Sequence, residues 1–141
     1  MVPRKLACAV LLLLLARGTP AGELAVIVSA KNPVVALRID QVADIFLAQT
    51  QHFPGGGAAV AIDQAIGAGV RDEFYQRVAS KSPALVKAYW TKMVFTGRAN
   101  PPQEALGNEA VKKLIAANPE RIGYIDRGAI DDSVKIVLVL R

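Results

Sequence analysis

Ala59-Val60-Ala61-Ile62-Asp63-Gln64-Ala65-Ile66-Gly67-Ala68-Gly69-Val70-Arg71-Asp72-Glu73-Phe74 reads as a buried strand, a glycine turn and the first turn of a helix. Such a junction aims unpaired backbone N–H groups and the positive end of a helix dipole at one point, which suits an anion. The turn contains no Ser or Thr hydroxyl to complete an oxyanion site.

Working outward from this junction, Leu24-Ala25-Val26-Ile27-Val28 is a continuous apolar run, expected of a strand buried on both faces. Gln41 to Ala48 reads as a helix, with Ile39, Val42, Ile45 and Phe46 at helical spacing, and Phe53-Pro54-Gly55-Gly56-Gly57 as a loop. A helix follows from about Gly69 to Val78. Ser82-Pro83 opens another, with Ser as N-cap and Pro in the first helical position, and carries Val86, Tyr89, Trp90 and Met93. Pro101-Pro102 marks a break. Asn108 is placed to cap a helix bearing Val111, Leu114 and Ile115 that ends at Asn118-Pro119. Ile122 to Ile125 and Val134 to Leu140 are closing strands. Strands alternating with helices imply an α/β fold around a mainly parallel sheet of four to five strands. Ligands of such sheets sit at the carboxyl ends of the strands. That rule makes Asp63 with its turn, and Ser29 to Asn32 after the first strand, the candidate functional edge.

The first residues read as a secretory signal over 1–22, leaving 23–141 as one domain. Arg4 and Lys5 precede an unbroken apolar run of ten residues, Ala7 to Ala16, and Thr19-Pro20-Ala21 supplies small residues near a cleavage site. A membrane-spanning helix needs roughly 20 apolar residues, so the run suits a leader and not an anchor. Cleavage removes Arg4, Lys5 and Arg17 and no acid, so 17 basic against 12 acidic residues become 14 against 12. With that the basic balance that would argue for nucleic acid disappears. The only cysteine, Cys8, leaves with the leader, so no disulfide, thiol nucleophile or cysteine metal site is expected. No cofactor is implied.

The order and spacing of these segments are similar to a known family. Leu24 through Asn32-Pro33, then Gln41-Val42-Ala43-Asp44-Ile45-Phe46-Leu47, Val60 to Asp63, Gly67 to Phe74, and Ile122-Gly123-Tyr124-Ile125 resemble the phosphate-type solute-binding proteins of ABC transporters. The resemblance covers essentially the whole mature chain. It implies a single periplasmic-binding-protein-like lobe, a periplasmic location, and inorganic phosphate or a similar oxyanion as ligand. A transporter permease, a sensor or a second copy of the chain are the partners it implies. The family closes two lobes on the anion. A lone lobe should bind weakly unless a second chain covers the site.

The family's turn resembles Arg-x-x-Gly-Ser-Gly-Thr. Aligned on Gly67 and Gly69, this chain has Gln64 in place of the Arg, Ala68 in place of the Ser and Val70 in place of the Thr. Each charge-assisted hydrogen bond lost costs about 1.5–3 kcal/mol. Arg71 is the available substitute, with the backbone donors of Ala68 to Arg71; its alternative is a surface pairing with Asp72 or another acid. Asp63 either accepts a ligand proton or caps the turn. Ser29, Lys31 and Asn32 either reach the same crevice or form an ordinary polar loop before Pro33.

His52 stands alone beside the glycine loop and makes no metal site. No Gly-x-Ser-x-Gly elbow, Cys–His pair or Walker lysine is present, and Gly67-Ala68-Gly69 lacks the third glycine of a dinucleotide fingerprint. The sequence therefore reads as a binding protein, not an enzyme. The alternative is an interaction module that keeps the fold and has lost the ligand.

Overall fold

The structure is a computed structural model that describes residues 22–141; of the leader read at 1–22, all but its last residue lies outside the described residues. Among the described residues the elements run β1 (Leu24–Ser29), α1 (Ile39–Phe46), β2 (Val60–Gln64), α2 (Gly69–Ala79), α3 (Pro83–Phe95), β3 (Gln103–Ala105), α4 (Gly107–Ala117), β4 (Arg121–Asp126), a 3-10 turn at Arg127–Ala129, and β5 (Val134–Leu140). One five-stranded sheet results, in the order β3-β2-β4-β1-β5.

β2 pairs in parallel with β3 and β4, whereas β1 is antiparallel to both β4 and β5. Four strands therefore point one way and β1 alone points the other. The mainly parallel reading holds for those four. It fails for β1, because a strand that opens the domain and slots between β4 and β5 needs no crossover helix to reverse its direction.

Side chains alternate across the sheet and feed two apolar layers. Leu24, Val26, Val28, Ile122 and Tyr124 face α1, α2 and α3, where Phe46, Phe74 and Trp90 fill the core. Ala25, Ile27, Ile62 and Ile125 face α4 and meet Val111 and Ile115. Phe74 stacks on Tyr124 with ring centroids 3.8 Å apart, and Phe46 meets Phe74 edge-on at 4.7 Å. Gly123 belongs to the second layer because α4 crosses close above it. A Cβ there would lie 2.9 Å from Val111 Cγ1.

A side-chain cap sets the start of α3, whereas α4 begins without one. Ser82 accepts a hydrogen bond from Leu85 N–H at 3.3 Å, with Pro83 in the first turn of α3. Asn108, expected as a cap, lies inside α4. Its amide instead donates to Asp126 Oδ2 at 2.7 Å, and its oxygen accepts from Asp126 N–H, tying the start of α4 to the end of β4. The break read at Pro101-Pro102 leads directly into β3, whose three residues are too few and too polar to show a strand pattern.

Candidate functional site

The turn between β2 and α2 starts from Asp63, whose side chain is 1% exposed and surrounded by donors. Oδ2 accepts from Tyr75 Oη at 2.6 Å and from Arg71 Nε at 3.4 Å. Oδ1 accepts from Gln64 N–H at 2.9 Å and from the Tyr124 hydroxyl. Burial pushes the Asp63 carboxyl above the ordinary carboxylate range, against the opposing pull of the Tyr124 and Tyr75 hydroxyls and the Arg71 guanidinium. Burial and the neighbouring Asp63 charge push both tyrosines upward, so they stay protonated as donors. With its oxygens filled in this way, Asp63 locks β2, α2 and β4 together. The geometry favours the turn-capping role over acceptance of a ligand proton.

Gln64 is equally committed. Its amide donates to Tyr124 O at 3.1 Å and to Asn108 Oδ1 at 3.4 Å, so the residue standing where the family has its Arg joins β2 to β4 and α4. Gly67 has φ +89, a conformation that only glycine adopts without strain, and Ala68 N–H closes the turn onto Ala65 O at 3.0 Å. No side chain caps α2. The N–H groups of Gly69 and Val70 make no hydrogen bond among the described residues. Arg71 is bound to Asp63 only through Nε; its two Nη groups make no hydrogen bond among the described residues, although the side chain is 91% buried. Arg71 is thus neither a surface residue nor a partner of Asp72.

Arg71, Gly67 and Asp63 line a cleft of about 610 Å³. The rest of its lining comes from α3 (Pro83, Ala84, Lys87 and Trp90) and from Pro101, Pro102 and Glu104. Trp90, 5% exposed, belongs to the core and to this wall at once, and the sequence singled out neither Lys87 nor Glu104. Glu104 is the middle residue of β3, opposite Asp63 of β2, and accepts from Ile66 N–H at 2.7 Å. The signal for it was a lone acid after the Pro-Pro pair, which has no meaning until β3 is paired with β2.

Ser29 and Asn32 are not brought to this cleft. Because β1 runs antiparallel to β4, its carboxyl end lies beside the start of β4, with Val28 opposite Ile122, at the far edge of the sheet from Gln64. Ser29 Oγ accepts from Lys31 N–H there, and Asn32 donates to Pro119 O at 2.7 Å and accepts from Val34 N–H. Both side chains are buried and engaged at that end of the sheet, Asn32 tying the loop after β1 to the one before β4. Among the described residues no group of His, Cys, Asp and Glu could hold a metal ion, and no helix is long and apolar enough to cross a membrane.

No family model and no curated protein matches the chain. Solved structures do match. A protein assigned as a phosphate ABC transporter substrate-binding protein from Clostridium perfringens, with phosphate bound, is 28% identical, with a TM-score of 0.66 over 82% of this chain and 45% of that one. An ABC-type phosphate transport receptor from Vibrio cholerae is 20% identical, with a TM-score of 0.65 over 82% of this chain and 46% of the receptor. PstS from Borrelia burgdorferi is 15% identical, with a TM-score of 0.58 over 82% and 47%; the last two likenesses bear on the fold alone. The chain spans less than half the length of each. It has the fold of a single lobe of phosphate-type ABC transporter substrate-binding proteins, and the proteins it resembles are transport proteins and not enzymes.

Proposed function

We propose that the protein is an exported, periplasmic solute-binding lobe that holds an oxyanion at the Gly67–Arg71 turn, in connection with ABC transport or sensing. The observation that carries this reading is Arg71, whose side chain is nine-tenths buried and lines the cleft with both Nη groups unbonded and reached by solvent. Beside it in sequence, the N–H groups of Gly69 and Val70 begin α2 without a cap. A charged fork next to uncapped amide donors at a helix start is a combination that favours a bound anion. It replaces, in kind, the hydroxyls and Arg absent from the family's turn. The solved relative from Clostridium perfringens holds phosphate, which supports phosphate as the first ligand to try.

A second reading has its own support. Gln64 and Asp63 are consumed by internal bonds, and Glu104 already accepts one N–H of the turn. This arrangement suits an interaction module that keeps the fold to contact a permease, a sensor or a second copy. Calorimetric titration with phosphate and then sulfate at low salt separates the two. Micromolar or tighter binding supports the solute-binding reading; no heat at millimolar ligand rules out a bare inorganic oxyanion as the solute and favours the protein-partner reading.

A further inference from the structure

The cleft holds more charge than a simple oxyanion needs. Of its five ionisable side chains, Asp63 and Arg71 pair with each other, whereas Asp72, Lys87 and Glu104 form no ion pair among the described residues. Glu104 is fixed at the turn by its bond from Ile66 N–H at 2.7 Å. A carboxylate held there, with Asp72 on the first turn of α2, opposes a bare dianion and attracts a cation. Between these charges the walls are apolar, formed by Ile66, Pro83, Ala84, Pro101 and Pro102. The volume of about 610 Å³ would take about 20 waters at roughly 30 Å³ each, far more than a bare tetrahedral oxyanion displaces.

We propose that the solute is a zwitterion of organic kind: an oxyanion head, a short alkyl spacer and an ammonium group. The head lies on the Arg71 Nη groups beside Gly67, with Lys87 as the second cation lining the same cleft. The spacer packs along the proline wall. The ammonium faces Glu104 and Asp72, whose charges then stabilise the complex instead of opposing it. This inference rests on the oxyanion reading above and names the class of solute that the same site takes.

Trp90 is the only tryptophan of the chain and lines the cleft, so its fluorescence reports occupancy directly. The protein is titrated with inorganic phosphate, ethylphosphonate and aminoethylphosphonate, the last two differing only in the ammonium. The expected result is aminoethylphosphonate binding about threefold to fivefold tighter than ethylphosphonate, the order of one ion pair at an exposed carboxylate. Glu104→Gln keeps an oxygen for Ile66 N–H and removes the charge. It should erase most of that preference, read as the ratio of the two affinities in the variant against the same ratio in the parent.

Ethylphosphonate or phosphate binding as tightly as aminoethylphosphonate overturns the inference and leaves the oxyanion reading standing. Silence towards all three ligands overturns both. A preference that survives in Glu104→Gln and also in Asp72→Asn, each with an unchanged circular dichroism spectrum, overturns the assignment of the ammonium to these carboxylates.

Discussion

Substitution Gly69→Asp should move stability and anion affinity in opposite directions, because the two depend on different consequences of one carboxylate. Gly69 is the first residue of α2; its φ is not positive, and a Cβ built there meets nothing within 4 Å. Replacing a glycine where the backbone suits any residue stabilises by about 0.4–1 kcal/mol through the unfolded chain. A carboxylate at a helix start adds about 0.3–1 kcal/mol, less here because Asp72 already occupies the first turn. A net gain of about 0.5–1.5 kcal/mol should raise the thermal midpoint by a few degrees. The same carboxylate at roughly 5 Å from a bound anion, in an effective dielectric near 20, costs about 3 kcal/mol per unit of ligand charge. That is more than a hundredfold in affinity. Gly69→Asn, equal in size and uncharged, should stay within a few-fold of the parent. Calorimetry with phosphate and differential scanning calorimetry read the two effects separately. Undiminished phosphate binding by a folded Gly69→Asp protein would refute the placement of the anion at this turn, and a lowered midpoint would refute the open geometry around Gly69.

Further outcomes follow from the packing and the buried charges. Tyr124→Phe removes one donor from the buried Asp63 carboxylate and should destabilise by about 1–3 kcal/mol at pH 7, measured by urea unfolding. Because burial raises the Asp63 pKa, the stability linked to its protonated form is complete below the ordinary carboxylate value and is lost as pH rises through the folded value. The cost of Tyr124→Phe should therefore shrink towards pH 4; an equal cost at pH 4 and pH 7 would contradict the charge at Asp63. Gly123→Ala drives a methyl to 2.9 Å from Val111 Cγ1 and should cost about 1–3 kcal/mol, with a lowered midpoint as the readout. Hydrogen bonds from Ser133 and Lys112 hold the Asp131 carboxyl down to about 2, so its contribution is present above pH 4 and lost as pH falls towards 2. Asp131→Asn should be less stable than the parent at neutral pH and indistinguishable from it near pH 2 in matched thermal melts.

Much of the site's location was legible because it is local in the chain. The glycines of the turn, the apolar strand before it and the helix after it lie within Ala59 to Phe74, and Gly67 takes the positive φ that such a turn requires. Ser82-Pro83 likewise marked the start of α3 by chemistry confined to four residues. The residues that complete the cleft were not legible. Glu104 reaches the turn from a three-residue strand whose own pattern is silent, and Trp90 carries the same helical spacing whether it fills a core or lines a wall.

By itself, then, the sequence determined the alternation of strands and helices, the double burial of β1 and the position of the glycine turn between β2 and α2. Each of these follows from periodicity and backbone chemistry within a short stretch. Only the tertiary structure decided that β1 runs against its neighbours, which carried Ser29 and Asn32 to the opposite edge of the sheet. It alone brought Tyr124 to Asp63 across 61 residues of chain, converting a candidate ligand group into a buried lock and leaving Arg71 to face the cleft. Strand direction and long-range donor pairing depend on which strands lie side by side, and the hydrophobic period of a strand is the same in either direction.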